Sequence, residues 1–262
     1  MYIFLLVLCA LVLSHPTHGQ LINAHAEVKV ESRTLFDDDL REFIEFARLQ
    51  MPCGYAPAGI PALVPLHASY REVSSVTEKA NIHGNVTDLT INGLNKFDVR
   101  KLHFNNIFRK VTFDLNFPEV RINGAYKADI KRKIRDTTLH IYGDGDLNLI
   151  LRNLHINGSF VLKPKLSGKT KLAKFKVTTQ LGDVESRLTG LMNSRLKTKL
   201  VNKWIEEFIA LTFNESPEDI NAAMQHLVVP PANKALEKVP VIGVLALVFG
   251  LVEGKLPQRK MC

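Results

Sequence analysis

The chain offers few residues at the spacings that catalysis or metal binding requires. It contains no Gly-x-Ser-x-Gly elbow, no glycine-rich phosphate-binding loop, no His-Glu-x-x-His segment and no cysteine pair at zinc-binding spacing. The nine histidines are scattered along the sequence, and ordinary structural or surface roles account for them. We therefore expect no enzymatic activity, no catalytic residue, no metal site and no cofactor.

The segment Gly143-Asp144-Gly145-Asp146 is the nearest approach to a metal-binding motif. It fails the calcium-loop pattern, because Leu149 occupies the place of the sharp-turning glycine and His155 the place of the bidentate acid. The two glycines share the parity of the neighbouring apolar residues. Close approach of another backbone or of a ligand therefore explains them better than a cation does.

Basic residues are the other chemical signal, since the formal net charge is +8 and the pI about 9.4. Two clusters contribute to this excess: Lys127, Lys131, Arg132, Lys133 and Arg135, and then Lys163, Lys165, Lys169, Lys171, Lys174 and Lys176. Neither cluster is interleaved with exposed aromatic residues, which disfavours nucleic-acid binding. An anionic lipid surface, lipopolysaccharide or a glycan would suit the charge, and so would a simple solvated face.

Apolar and polar residues alternate through most of the stretch from Ile107 to Leu181. A period of two predicts β-strands with one buried and one solvated face. These strands exceed the usual length of about five or six residues, so the sheet must twist and curl. Phe117-Pro118 and residues 163–168 predict connections between strands.

Three further strands are predicted at 65–76, 79–93 and 96–105. The apolar parity changes between Val86 and Leu89 and again between Val99 and Leu102. Each change predicts a β-bulge, which would bend the sheet.

Helical spacing of apolar residues predicts helices before and after these strands. The first runs from an N-cap at Thr34 to a stop at Pro52. The second carries a broad apolar stripe that consists of Leu196, Leu200, Val201, Trp204, Ile205, Phe208 and Ile209. Ser216-Pro217 predicts a further helix start, and Pro230-Pro231 should kink or break that helix. The fold class is α+β: a long, strongly curved antiparallel sheet wrapped around a long C-terminal helix, in a single elongated domain.

The N-terminal segment predicts a secreted protein. Residues 1–19 read as a signal peptide, with an apolar core from Ile3 to Leu13. Residues 20–262 then form one domain, with a core at about 34–237 and an apolar C-terminal segment, 239–252, that we interpret as a buried closing segment. That segment is too short to span a membrane.

Sequons and cysteines fit an extracellular setting. Glycosylation is predicted at Asn85, Asn157 and Asn214. Removal of the signal peptide would leave Cys53 and Cys262, which could form a disulfide with each other. A free or intermolecular Cys262 is equally compatible with the sequence.

Several short motifs occur in an order that resembles a known superfamily. They are Met51-Pro-Cys-Gly54, Gly59-Ile-Pro61, Val64-Pro-Leu66, Val86 to Leu94 followed by Phe97-Asp-Val99, Tyr142-Gly-Asp-Gly-Asp-Leu147, and Leu149 to Gly158 with Arg152-Asn-Leu154. Over about residues 34–237 the chain resembles the insect haemolymph juvenile-hormone-binding and takeout proteins, and especially their relatives akin to the group 7 mite allergens. Takeout-type members have a second cysteine near the first helix that bridges to the position resembled by Cys53, and this chain lacks it.

The resemblance implies a tubular lipid-binding fold with an apolar tunnel between sheet and helix. It implies a secreted carrier for a small hydrophobic ligand such as a lipid, fatty acid or terpenoid. The inward parity would then line the ligand site, with residues Val111, Phe113, Leu115, Ile122, Tyr126, Leu147, Leu149, Phe175 and Val177, faced by Trp204 and Phe208. The alternative is a module that binds anionic lipid, lipopolysaccharide or glycan through the basic clusters on its surface.

Overall fold

The computed structural model describes residues 32–54, 61–76, 80–105, 107–134, 137–165, 167–215, 217–237 and 262. Within these residues, one helix precedes six strands, and two helices follow them. The elements are α1 (Ser32–Gln50), β1 (Leu66–Val76), β2 (Ala80–Asn92), β3 (Asp98–Asn105), β4 (Lys110–Ile134), β5 (Thr137–Pro164), β6 (Thr170–Ser186), α2 (Arg195–Glu215) and α3 (Pro217–Leu236). The predicted signal peptide and the apolar segment 239–252 lie outside the described residues.

The strands form one antiparallel sheet in the order β1-β2-β4-β5-β6, and β3 pairs with β4 beyond the end of β2. β4 has 25 residues and β5 has 28, and they pair from Lys110 opposite Val161 to Ile134 opposite Thr137. This confirms the predicted sheet of long antiparallel strands. Within the described residues the sheet stays open, with β1 at one edge and β6 at the other.

Both predicted β-bulges are present. The pairing of β2 with β4 shifts register between Thr87 and Thr90, where Asp88 has a positive φ of 50°. The pairing of β3 with β4 shifts between Val99 and Lys101. An extra residue on one strand reverses the parity beyond it, and this is the change that the sequence records.

The connection predicted at Phe117-Pro118 is absent, because β4 continues through it. Pro118 lies in a gap between two partners of β4: pairing with β3 ends at Asn116 and pairing with β2 begins at Arg121. On the other side, Phe117 pairs with Leu154 of β5 and the next pair is Glu119 with Arg152. The missing N–H of Pro118 therefore removes no ladder hydrogen bond.

The core consists of two apolar clusters on one face of the sheet. The larger one joins α1 and α3 to β3, β4, β5 and β6, and includes Leu40, Phe97, Phe113, Phe160 and Val228. The smaller one is centred on Tyr126, Ile141 and Leu191, with Val201 and Ile205 of α2 packed against it. The two clusters lie at different positions along the β4–β5 hairpin.

The prediction at Pro230-Pro231 is a kink or a break, and the break is absent, because α3 continues through both prolines to Leu236. Val228, Ala232 and Leu236 repeat every four residues across the prolines and are at most 1% exposed. Burial of this face against the sheet offsets the cost of proline in a helix, which is about 3 kcal/mol. The predicted start at Pro217 is confirmed.

The edge of β6 is covered by amide side chains from α2 and α3. Three asparagine carboxamides each accept a hydrogen bond from the backbone N–H of one residue and donate one to the C=O of the same residue. Asn233 pairs in this way with Leu172, Asn214 with Leu181, and Asn202 with Leu188, just after β6. Asn221 accepts from the N–H of Val177, and Gln225 donates to the C=O of Phe175. We call this set the amide ladder; it satisfies an edge that would otherwise need a neighbouring strand.

A disulfide joins Cys53, just after α1, to Cys262 across 209 residues of sequence. The sequence left this pairing open, and the structure selects the intramolecular bond. In the described part of the chain, no helix is long and apolar enough to cross a membrane.

Candidate functional site

Most of the predicted ligand-binding residues lie in the larger cluster. Val111, Phe113, Leu115, Phe175 and Val177 are at most 7% exposed, and Ile122 is partly buried against them. They come from β4 and β6, on the face of the sheet that α1 and α3 cover. The alternation of the strands therefore places these side chains as the sequence predicts, within a packed apolar layer.

Tyr126 and Leu147 belong to the smaller cluster, whereas Leu149 is partly buried and belongs to neither. The Tyr126 hydroxyl donates to the backbone carbonyl of Thr189 at 2.7 Å. Burial raises the pKa of Tyr126 to about 12, and the nearby charge of Asp144 adds to the shift. The hydroxyl is therefore held as a neutral donor.

Gly143 and Gly145 sit where the segment after β6 crosses β5. A Cβ atom on Gly143 would lie 2.6 Å from the Tyr126 hydroxyl, and one on Gly145 would lie 2.6 Å from the carbonyl oxygen of Thr189. Of the two explanations that the sequence offers, another backbone or a ligand, the structure contains the close approach of another backbone. The described residues include no group of three or more His, Cys, Asp or Glu that could hold a metal ion.

Trp204 and Phe208 lie elsewhere, on the side of α2 that faces away from the sheet. Their rings stack with centroids 5.5 Å apart, and they are 36% and 50% exposed. Leu196, Leu200 and Leu211 continue the same side with exposures of 71%, 62% and 51%. We call these five residues the outer stripe of α2. The structure does not bring Trp204 and Phe208 together with the predicted residues of the sheet.

The opposite side of α2 combines hydrogen bonds with loosely covered apolar residues. Asn202 and Glu206 bond to the backbone of Leu188 and Ser186, while Val201, Ile205, Ile209 and Phe213 pack against the two clusters. None of the 21 residues of α2 is buried. Sequence analysis predicts one broad apolar stripe, and three of its members, Val201, Ile205 and Ile209, lie on this inner side. The hydrogen bonds of Asn202 and Glu206 have no such signal, because they depend on contacts with the end of β6.

A cavity of about 640 Å³ opens on the other face of the sheet, the face with the polar parity. Its lining includes Tyr70, His83, Lys127, Asp129, His140 and Tyr142. The His140 ring lies 3.1 Å from the Asp129 carboxylate, and Lys127 lies 3.9 Å from Asp144. None of the predicted ligand-binding residues lines this cavity, and its charged lining suits no apolar ligand.

The three sequons have different surroundings. Asn157 is exposed on β5, Asn85 is partly buried beside the polar cavity, and Asn214 is held by Leu181 in the amide ladder. Glycosylation at these positions stays a prediction.

Sequence reasoning missed the charge network around Arg152 on the solvated face. The Arg152 guanidinium bonds Asp183 at 3.0 Å and Glu185 at 2.7 Å. Its hydrogen bond to Glu185 is the main reason that the pKa of that carboxyl is lowered. Residues far apart in sequence meet here through strand register, Arg152 opposite Asp183, so no local motif could have indicated them.

Comparison with known proteins identifies the family. A family model described as Haemolymph juvenile hormone binding protein matches residues 4–244. The chain is similar in structure to Takeout 1 of Epiphyas postvittana, with a TM-score of 0.58 and 16% identity over 82% of this chain and 96% of that chain. A weaker likeness is to lipopolysaccharide binding protein, with a TM-score of 0.36 and 13% identity over 79% of this chain and 41% of that chain. Another is to latherin, with a TM-score of 0.26 and 13% identity over 88% of this chain and 98% of that chain. No curated protein matches the sequence. Because the family model spans most of the chain, this protein belongs to the haemolymph juvenile hormone binding protein family.

Proposed function

We propose that this protein is a secreted, non-enzymatic carrier that holds a small hydrophobic ligand between the sheet and the inner side of α2. The observation that carries the proposal is the incomplete cover of that interface. Apolar residues of α2 face both clusters, yet no residue of the helix is buried. An apolar ligand placed there would bury surface that protein side chains leave partly accessible.

Family membership supports the same function, since the family is named for binding juvenile hormone. We propose the ligand class more broadly, as a lipid, fatty acid or terpenoid. Affinity would come mainly from apolar burial, at roughly 25 cal/mol per Å². The proposed site uses Ile122, Leu147 and Leu149 on the sheet, which are partly buried. Trp204 and Phe208 lie on the other side of α2 and are not part of it.

The first experiment is native mass spectrometry of the secreted protein, followed by organic extraction and identification of what is released. We expect one apolar molecule for each chain. A clean ligand-free mass, with no later uptake of a fluorescent fatty-acid analogue, would reject the carrier function.

A pair of matched variants tests the location. Ile205→Gln places an amide on the inner side of α2 and should weaken uptake of the analogue about tenfold, by loss of apolar contact. Ile107→Gln makes the same change at a residue that is 84% exposed, away from the proposed site, and should leave uptake unchanged. Equal uptake by both variants would place the ligand elsewhere.

A second candidate is binding of an anionic surface through the second basic cluster. Lys171, Lys174 and Lys176 are exposed on β6, and Lys163 lies directly opposite Lys171 on β5. This function predicts affinity that falls steeply with salt, which internal apolar binding does not. Reversing Lys171, Lys174 and Lys176 to Glu should abolish binding to anionic vesicles, lipopolysaccharide or heparin. Unchanged binding would reject this candidate.

A further inference from the structure

The outer stripe of α2 presents large apolar side chains with no cover. Leu196, Leu200, Trp204, Phe208 and Leu211 are between 36% and 71% exposed. They recur every three or four residues, so they form one continuous strip along the helix. Exposed apolar strips of this kind mark contact surfaces more often than ordinary solvated faces.

The strip cannot turn inward, because hydrogen bonds fix the opposite side of α2. Thr198 donates to the carbonyl of Leu191 at 2.8 Å, Asn202 exchanges bonds with Leu188, and Glu206 accepts from the N–H of Ser186 at 2.8 Å. Turning the strip toward the sheet would break all of these bonds. A group that covers the outer stripe must therefore approach from the side of α2 that faces away from the sheet.

We propose that the outer stripe of α2 is covered by the same stripe of a second copy of this chain, with the two helices antiparallel about a two-fold axis near Trp204. The stripe reads almost identically in both directions: two Leu, then Trp204, then Phe208 and Leu211. In an antiparallel pair Leu196 meets the partner's Leu211, and Leu200 meets the partner's Phe208. Trp204, the only tryptophan in the chain, lies at the centre, where tryptophan contributes most to interfaces.

Charge supports self-pairing independently of shape. The first half of α2 carries Arg195, Lys197, Lys199 and Lys203, and the second half carries Glu207 and Glu215 in addition to Glu206, which bonds Ser186 on the inner side. Antiparallel packing sets the basic half of each helix beside the acidic half of the other. In particular, Lys203 comes beside the partner's Glu207 in two symmetric pairs.

The same charges disfavour an anionic bilayer as the occupant. The acidic half of α2 would approach negatively charged head groups, and like charges repel. The stripe is also limited to one helix whose basic and acidic halves nearly balance, unlike membrane-surface helices with Lys and Arg along a whole polar face.

Chain length disfavours the C-terminal segment as the occupant. It leaves α3 at Glu237, near the first half of β6, where Asn233 bonds Leu172, and it ends at Cys262, which is bonded to Cys53 just after α1. The helix α1 packs against β3, which pairs with β4 at the same end of the sheet as the first half of β6. The 25 residues from Glu237 to Cys262 extend to at most about 90 Å. From Leu172 to Leu188 the strand spans roughly 50 Å. Reaching Leu196 at the start of α2 and returning would take about 100 Å, which is more than the segment can extend.

A single helix pair is a small interface, below about 1,200 Å², so we expect a weak dimer with a dissociation constant in the micromolar range. The test is sedimentation velocity over a wide range of concentration, with the emission of Trp204 recorded in parallel. Dimer formation should shift that emission to shorter wavelength as concentration rises. Leu200→Glu should weaken association at least about tenfold, and Ile107→Glu, at an exposed site elsewhere, should not.

Charge exchange tests the antiparallel register. Lys203→Glu and Glu207→Lys should each weaken association, by about three- to tenfold for two symmetric pairs. The double variant should restore it, because each new Glu faces a new Lys. Lys199→Glu, further from the stripe, is the matched control and should have little effect.

Several outcomes would overturn the proposal. One is monomeric sedimentation at every concentration, and another is a dimer that Leu200→Glu leaves intact. A Trp204 emission shift that appears only with phosphatidylcholine–phosphatidylserine vesicles would assign the stripe to a bilayer. Emission that shifts to longer wavelength in Cys262→Ser at all concentrations would assign it to the C-terminal segment. The inference does not rest on the carrier function, and Leu200→Glu should keep its ligand.

Discussion

At the scale of single residues, Tyr126 shows how a buried polar atom is accommodated at the end of an apolar cluster. Its ring packs among Ile141 and Leu191, and its hydroxyl reaches the carbonyl of Thr189. Since burial raises the pKa of Tyr126 from 10.0 to about 12, the folded protein resists ionisation of this group. The unfolded chain ionises it first, so this contribution to stability is complete below pH 10 and is lost as pH rises from about 10 to 12.

Tyr126→Phe should therefore have two effects. At neutral pH it should lower the free energy of unfolding by about 1 kcal/mol, because the Thr189 carbonyl loses its donor. Between pH 10 and 12 it should lose part of the decline in stability that the wild-type protein shows. Urea unfolding at several pH values measures both. Tyr70→Phe, at a residue that is 51% exposed, is the control, and identical pH profiles for all three proteins would contradict the assignment.

At the scale of elements, the amide ladder determines how α2 and α3 sit on the sheet. The helices follow the edge of β6, and an edge presents backbone N–H and C=O groups that need polar partners. Asn202 is the most heavily used member: its carboxamide bonds Ser186, Leu188 and Thr198. The contact between helix and sheet is thus specified by hydrogen bonds as well as by apolar burial.

Asn202→Asp tests the ladder with almost no change of shape. The carboxylate keeps the acceptor but loses both donors, and it faces the carbonyls of Leu188 and Thr198. We expect the free energy of unfolding to fall by about 2 kcal/mol or more. In Asn105→Asp the bond from the N–H of Phe108 to the side-chain oxygen can still form, so stability should change little. Equal thermal unfolding midpoints for the two variants would show that the amide ladder does not contribute to stability.

The alternation of apolar and polar residues predicts the sheet and both bulges, because a strand with one buried face carries apolar residues at every second position. The predicted connection at Pro118 and the predicted break at Pro230-Pro231 are absent, and neither outcome could be predicted locally. The gap in pairing around Pro118 and the burial of α3 both depend on residues distant in sequence. The predicted stripe of α2 divides in the structure: Val201, Ile205 and Ile209 face the sheet, whereas Trp204 and Phe208 face outward. The polar contacts of Asn202 could not be predicted, because they depend on the edge of a distant strand. Most predicted ligand residues lie in one cluster, and their role as a site stays a prediction.

At the scale of the whole molecule, the disulfide between Cys53 and Cys262 closes a loop of 209 residues. A cross-link of this span removes much of the freedom of the unfolded chain, by about 5 kcal/mol in the chain-entropy model. Cys53→Ser combined with Cys262→Ser should lower the unfolding midpoint strongly. Reduction of the wild-type protein should reproduce the effect, and the reduced double variant should show no further change. A midpoint unaffected by either treatment would mean that the bond does not constrain the unfolded chain.

The unequal size of the two apolar clusters implies a gradient of opening along one hairpin. Near Phe113 and Ile156 the strands β4 and β5 are held by the larger cluster, whereas near Ile130 and Ile141 only the smaller one supports them. Backbone amide hydrogens between β4 and β5 should therefore exchange with solvent at very different rates, slowest near Phe113 and fastest toward the β4–β5 turn. The molecule would breathe from that turn inward, and α2 spans the boundary between the part that opens and the part that stays closed.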